Sequence, residues 1–328
     1  MTATLEEIRR AEKSALAGEQ LDREAIIRLL EIPLDSEEDR ALRLAARRVS
    51  DAVSGDTVKI WAAIGVDSAP CTMNCRFCSF GAAWGLIKEP VHFTREELLM
   101  RAGAFIRQGA YYVVLRTTEF YDMDELLETV RQIRAQNPGE YEILLNTGEI
   151  TPELADRMYE AGVRGIYHAC RLREGVDTPF DPDLRRGTMR NVAQSRLNLF
   201  SLVDPVAPIH SNEEVADNLL QLLDCGAVLT GAMALVPVPG TPLGDREAMS
   251  DHRLAQIGAV IRLSAGSQIK DICIHPSSVE TIQSGASVII VDSGTIPRTT
   301  ERTVEEWYEF GMDKAAATIA EAGYKMWK

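Results

Sequence analysis

The residues best suited to do chemistry are three cysteines in the run Pro70-Cys71-Thr72-Met73-Asn74-Cys75-Arg76-Phe77-Cys78. Three thiolates within eight residues can grip one inorganic centre only if the loop coils around it, and thiolates are the ligands that iron-sulfur clusters take. On a four-iron cluster the trio Cys71, Cys75 and Cys78 would leave one iron without a protein ligand. Such an opening on an electron donor is where a cofactor can bind and be reduced. Tetrahedral zinc also accepts cysteines at this spacing, but a structural zinc needs a fourth ligand close by. The nearest histidine, His92, lies 14 residues beyond Cys78.

A loop can hold such a centre only if rigid elements fix its ends. Strand-like runs occur at 58–64, 111–116, 141–145, 165–168, 199–203, 231–236, 269–274 and 288–291, with helical patterns between most of them at 95–108, 123–135, 152–161, 184–196, 213–223 and 252–263. Thr94 and Glu97 form a capping box at the start of the first of these helices. Strands alternating with helices predict a parallel sheet, and eight such units predict an α/β fold of the (β/α)8 TIM-type barrel kind, with an open doubly wound sheet as the alternative. The cysteine loop follows the first strand and so belongs on the C-terminal face of the barrel, where such folds do chemistry. Residues 1–56 read as an N-terminal helical extension, 57–300 as the barrel, and 301–328 as a C-terminal helix packed on it.

The charge balance excludes several partners. Lys plus Arg number 35 against 49 Asp plus Glu, a net charge of -14 that repels nucleic-acid backbones and anionic membranes. No apolar run approaches the roughly 20 residues of a membrane-spanning helix, and the first residues form an acidic amphipathic segment rather than a signal peptide. The expected setting is the cytoplasm, where six cysteines do not form a disulfide framework, and the expected partner is a small molecule.

The CxxxCxxC spacing with an aromatic, Phe77, before the last cysteine resembles the radical S-adenosylmethionine (SAM) superfamily, and most closely biotin synthase, the iron-only hydrogenase maturase and methylornithine synthase. The resemblance implies a 4Fe-4S cluster on Cys71, Cys75 and Cys78, SAM on the open iron, and an electron donor such as flavodoxin or ferredoxin. It implies that SAM is cleaved reductively to a 5'-deoxyadenosyl radical that takes hydrogen from substrate. Thr117-Thr118-Glu119 stands where the family carries a Gly-Gly-Glu-like motif for the SAM amino group, with threonines replacing the glycines. The stretch Cys170-Arg171-Leu172-Arg173-Glu174, with Arg185, Arg186 and Arg190 downstream, is similar to the strand end that meets the SAM carboxylate and ribose, which assigns Arg173, Glu174 and Arg186 to SAM. Gly240-Thr241-Pro242-Leu243 resembles a turn of biotin synthase lining the adenine, which assigns Val236 and Pro237 to that pocket.

For substrate the candidates are His168 in the fourth strand, His275 ending the seventh, and Arg298 after the eighth, where barrels often bind anions. The expected reaction is rearrangement or bond cleavage of a small anionic metabolite in cofactor or amino-acid biosynthesis. Alternatives are sulfur insertion, as in biotin synthase, a metallocofactor maturase, and a non-catalytic zinc-stabilised ligand-binding barrel. Sulfur insertion needs a second cluster, yet Cys225 falls on the wrong face and Cys170 with Cys273 make a poor ligand set, so all three read as buried thiols. Replacing Cys75 with alanine is expected to abolish SAM cleavage. Formation of 5'-deoxyadenosine from SAM and dithionite by the Cys75→Ala variant would overturn the ligand assignment.

Overall fold

The computed structural model describes residues 3–328. Eight parallel strands follow in order: β1 (Thr57–Gly65), β2 (Tyr112–Arg116), β3 (Glu142–Asn146), β4 (Val163–Tyr167), β5 (Asn198–Phe200, resuming at Val203–Val206), β6 (Leu229–Ala234), β7 (Asp271–His275) and β8 (Val288–Gly294). Each pairs with the next, and β8 pairs with β1 from Lys59↔Val288 to Gly65↔Gly294, so the sheet closes into a barrel. The (β/α)8 expectation therefore holds, and the open sheet does not.

Polar N-caps start the outer helices where the chain leaves each strand. Thr94, Asp122, Thr151, Asp181, Ser211 and Ser250 each accept a backbone amide at the head of α4 (Arg95–Arg107), α5 (Met123–Gln136), α6 (Pro152–Ala161), α7 (Pro182–Gln194), α8 (Asn212–Asp224) and α9 (Asp251–Ala265). Ahead of the barrel come α1 (Leu5–Leu16), α2 (Arg23–Leu30) and α3 (Glu37–Ser54), which pack on α8 and α9. That cover explains why α9 is buried almost all round.

Two expectations fail locally. The fifth strand is interrupted between Phe200 and Val203, and in its resumed part Pro205 offers no amide hydrogen, so the ladder with β6 skips from Val203↔Ala232 to Val206↔Ala234. The helix expected within 301–328 forms only at α11 (Met312–Glu321), after the five-residue α10 (Val279–Gln283) that the sequence reading did not anticipate. Gly311 caps α11 and Gly323 ends it at φ 89°, after which Lys325–Met326 adds parallel to the start of β1.

The interior of the barrel is filled rather than hollow. The Trp61 ring meets Tyr167 and Phe200 edge-on at centroid distances of 5.7 and 6.0 Å, and Tyr112 lies 6.1 Å away. Below them Tyr112 donates to Asp271 at 2.7 Å, and Lys59 pairs with the same carboxylate at 2.7 Å. This plug blocks the N-terminal end and leaves the barrel open only at the C-terminal ends of its strands. No helix among the described residues is long and apolar enough to cross a membrane. Trp61→Ala should cost about 3–5 kcal/mol, read as a lower urea midpoint; a cost under about 1 kcal/mol would contradict the plug.

Candidate active site

At that open end the loops after β1 and β8 close tightly on each other. A Cβ on Gly65 would stand 1.7 Å from the Thr295 carbonyl oxygen, so only glycine permits the approach. Between the loops lies one open-mouthed chamber, lined from Trp61 on its floor to Cys71, Glu119, Arg185 and Arg298 on its walls.

The cysteine loop forms one wall, pinned by its own backbone. Cys71 N donates to Phe80 O at 2.7 Å, Cys78 N donates to Cys75 O at 2.9 Å, and Trp84 Nε1 donates to Cys78 O at 3.0 Å. Ser79 N donates to Pro297 O at 2.9 Å, while Arg76 pairs with Asp177 at 3.0 Å, which ties the loop to the segments after β8 and β4. All three cysteines line the chamber. Burial pushes the Cys75 thiol up to about 11 and the Cys78 thiol to about 12, and Cys71 moves the same way. Bound iron is what would hold these sulfurs as thiolates at neutral pH. Among the described residues no three His, Cys, Asp or Glu side chains converge on a point suited to one ion. In an iron-sulfur cluster each thiolate meets its own iron, and three cysteines on one chamber wall can supply three such ligands.

The second wall comes from β2 and β3. Asp67 accepts both the amide of Thr118, at 2.8 Å, and its hydroxyl, while Thr117 N donates to Asn146 O at 3.0 Å. Glu119 is thereby aimed into the chamber, where burial raises its carboxyl despite Arg185 and Arg171 nearby. The third wall comes from β4 and α7. Arg185 Nη1 lies 2.9 Å from Glu149 Oε1 and 3.4 Å from His168 Nε2, and its guanidinium lies 3.5 Å from the centre of the Phe180 ring. Glu149 also accepts from the Thr188 hydroxyl. At the fourth wall Asp292 lies between two arginines: Arg116 Nη1 donates to Oδ1 at 2.9 Å and Arg298 Nη2 donates to Oδ2 at 2.6 Å.

The residues expected from sequence divide accordingly. Cys71, Cys75, Cys78, Phe77, Thr117, Thr118, Glu119, His168, Val236 and Arg298 all line the chamber; Arg173, Glu174, Arg186, Pro237 and His275 do not. Arg173 stands at φ 56° in a turn that sends its side chain outward to Glu214, at 2.9 Å, and to Ile209 O. Arg186 pairs with Asp183 and Gln221 on the outer face of α7. Their neighbours Arg171 and Arg185 take the inward positions. Glu174 backs this wall, accepting from Arg171 N at 2.8 Å and from the Thr178 hydroxyl. His275 stacks on Trp307 at 5.3 Å behind Asp292, and burial holds it neutral, down to about 3. Sequence reasoning missed Asp67, Arg116, Asp204 and Asp292, although each stands within two residues of the C-terminal end of a strand. A charged residue closing an apolar run, as Asp292 closes 288–291, is the signal that marks them.

Residues 68–251 match the family model of the radical SAM superfamily. The biotin synthase of Rippkaea orientalis is 27% identical over 290 residues, covering 82% of this chain and 75% of that protein. Among solved structures, methylornithine synthase superposes with a TM-score of 0.81 at 17% identity, covering 97% of both chains. HydG, a maturase of the FeFe-hydrogenase, gives 0.81 at 16% identity over 98% of this chain and 76% of its own. The chain belongs to the radical SAM superfamily, as an enzyme with a 4Fe-4S cluster and SAM as its cofactors.

Burial opposes ionisation of Glu149, but the hydrogen bonds from His168 and Thr188 and the charge of Arg185 prevail and lower it from 4.5 to about 2. A depressed carboxyl stabilises the fold above its unfolded value and loses that contribution as pH falls through the folded one. Wild-type stability should therefore fall by up to about 3 kcal/mol between pH 4.5 and about 2. Acid-unfolding curves of Glu149→Gln should lose most of this slope; an unchanged slope would refute the pairing.

Proposed function

We propose that the chamber holds SAM between the cysteine loop and β2 to β4, over a small anionic substrate seated toward β8. When bound, the cluster supplies the electron that cleaves SAM to a 5'-deoxyadenosyl radical able to take hydrogen from a C–H bond of the substrate. The observation that carries this reading is the convergence of three cysteines, one aimed carboxylate and two inward arginines on a single chamber closed below by an aromatic floor. Glu119 offers its carboxyl oxygens to the SAM ammonium, with Thr117 and Thr118 fixing its approach. Arg185, held by Glu149, suits the SAM carboxylate, and Arg171 stands beside it. Phe77 and Val236 offer apolar surface, with Val236 on the side where the adenine would lie.

Toward the substrate, Arg116 and Arg298 share the single carboxylate of Asp292, which leaves one positive charge in excess at that wall. This favours an anionic group, and Trp61 and Tyr167 beneath keep water from the reacting carbon. The electron comes from a small redox protein of the flavodoxin or ferredoxin kind. Rearrangement or bond cleavage suits the site better than sulfur insertion, because a sulfur donor would need further ligands facing the chamber. Cys170 points to Pro182 O at 4.0 Å, Cys225 ends α8, and Cys273 is locked in the barrel plug.

Glu119→Ala should raise the KM for SAM by about 10- to 100-fold, the loss of one charge-assisted hydrogen bond, measured as 5'-deoxyadenosine formed with dithionite. An unchanged KM would count against the assignment of the SAM amino group.

A further inference from the structure

Opposite the arginine wall stands a carboxylate that the SAM reading does not use. Asp204, in the resumed part of β5, has a side chain only 7% exposed. Its Oδ2 accepts from the Tyr167 hydroxyl at 2.5 Å, but its Oδ1 is buried with no hydrogen-bond partner, and the nearest cation, Arg171 Nε, is 4.0 Å away. Native proteins rarely leave a buried carboxylate oxygen unpaired, because desolvation is then uncompensated. Asp204 lines the chamber, and β5 lies across the barrel from β8 and β1. The span between the two walls is apolar, made of Trp61, Val114, Met233 and Ile290.

At the far wall Arg116 Nε and Arg298 Nε are likewise buried without partners. The chamber thus has two polar ends of opposite kind joined by an apolar floor. Resting on the reading of this chamber as the substrate site, we propose that Asp204 contacts the substrate directly. Its free oxygen accepts an N–H or O–H group at one end of a small elongated acid whose anionic end rests on Arg116 and Arg298. Asp204 therefore selects bifunctional acids over simple ones, and Tyr167 acts as a positioning residue that fixes which oxygen is presented.

The test uses the full chain, reconstituted anaerobically with iron and sulfide and saturated with SAM. It is titrated calorimetrically with butanoate and hexanoate and with the terminal hydroxy and amino derivatives of each, all deuterated along the chain. In the wild type a derivative should bind at least about tenfold tighter than its parent acid and should pass deuterium into 5'-deoxyadenosine. In Asp204→Ala that ratio should fall to about one. Asp204→Asn keeps the shape and the Tyr167 bond; it should lose preference for the amino acids and keep part of it for the hydroxy acids, which tells the two donors apart. The proposal is overturned if the wild type shows no preference, if the preference survives in Asp204→Ala, or if no acid of the set binds. In each of those outcomes, 5'-deoxyadenosine formed from SAM and dithionite without any acid leaves the radical SAM reading standing, and its absence removes that reading instead.

Discussion

Coordination by an incomplete set of protein ligands is the constraint on which the rest depends. Three sulfurs from one short loop leave an iron open, and an amino-acid-bearing cofactor can then be bound and reduced at the same atom. The loop must be rigid without a fourth anchor of its own. It obtains that rigidity from backbone hydrogen bonds to the segments after β4 and β8, through Arg76 and Ser79. The barrel matters because it brings those segments together.

The second constraint is electrostatic. The chamber gathers Glu119, Glu149, Asp204 and Asp292 with Arg116, Arg171, Arg185 and Arg298 around buried thiols. Charges taken out of water are tolerated only when paired, and most of these are. Arg116 and Arg298 clasp Asp292, and Glu149 holds Arg185. Among the polar atoms left without a hydrogen-bond partner are several on residues lining the chamber, one oxygen of Asp204 and the Nε atoms of Arg116 and Arg298. Stability and recognition are thus divided between the backs and the fronts of the same walls.

Much of this architecture could be read from the sequence, since local patterns set it. Apolar runs such as 288–291 and the capped helix after Thr94 depend on near neighbours, and the cysteine spacing declares its chemistry within eight residues. What escaped depends on distant parts of the chain or on the backbone path. Asp292 acquires its meaning from Arg116, 176 residues away. Arg171 and Arg173 are two residues apart, and which of them faces inward is decided by a turn with Arg173 at φ 56°, not by composition. The C-terminal stretch kept a helical pattern that its glycines and the exposed start of β1 overrode.

The central claim is tested most directly by electron paramagnetic resonance on the anaerobically reconstituted, dithionite-reduced chain, with and without SAM carrying an isotopic label on its amino nitrogen. A cluster of four irons bound by three cysteines predicts a reduced-cluster signal that changes when SAM is added and shows coupling to the labelled nitrogen. A colourless protein carrying a single zinc ion, or a cluster signal indifferent to SAM, would contradict the account.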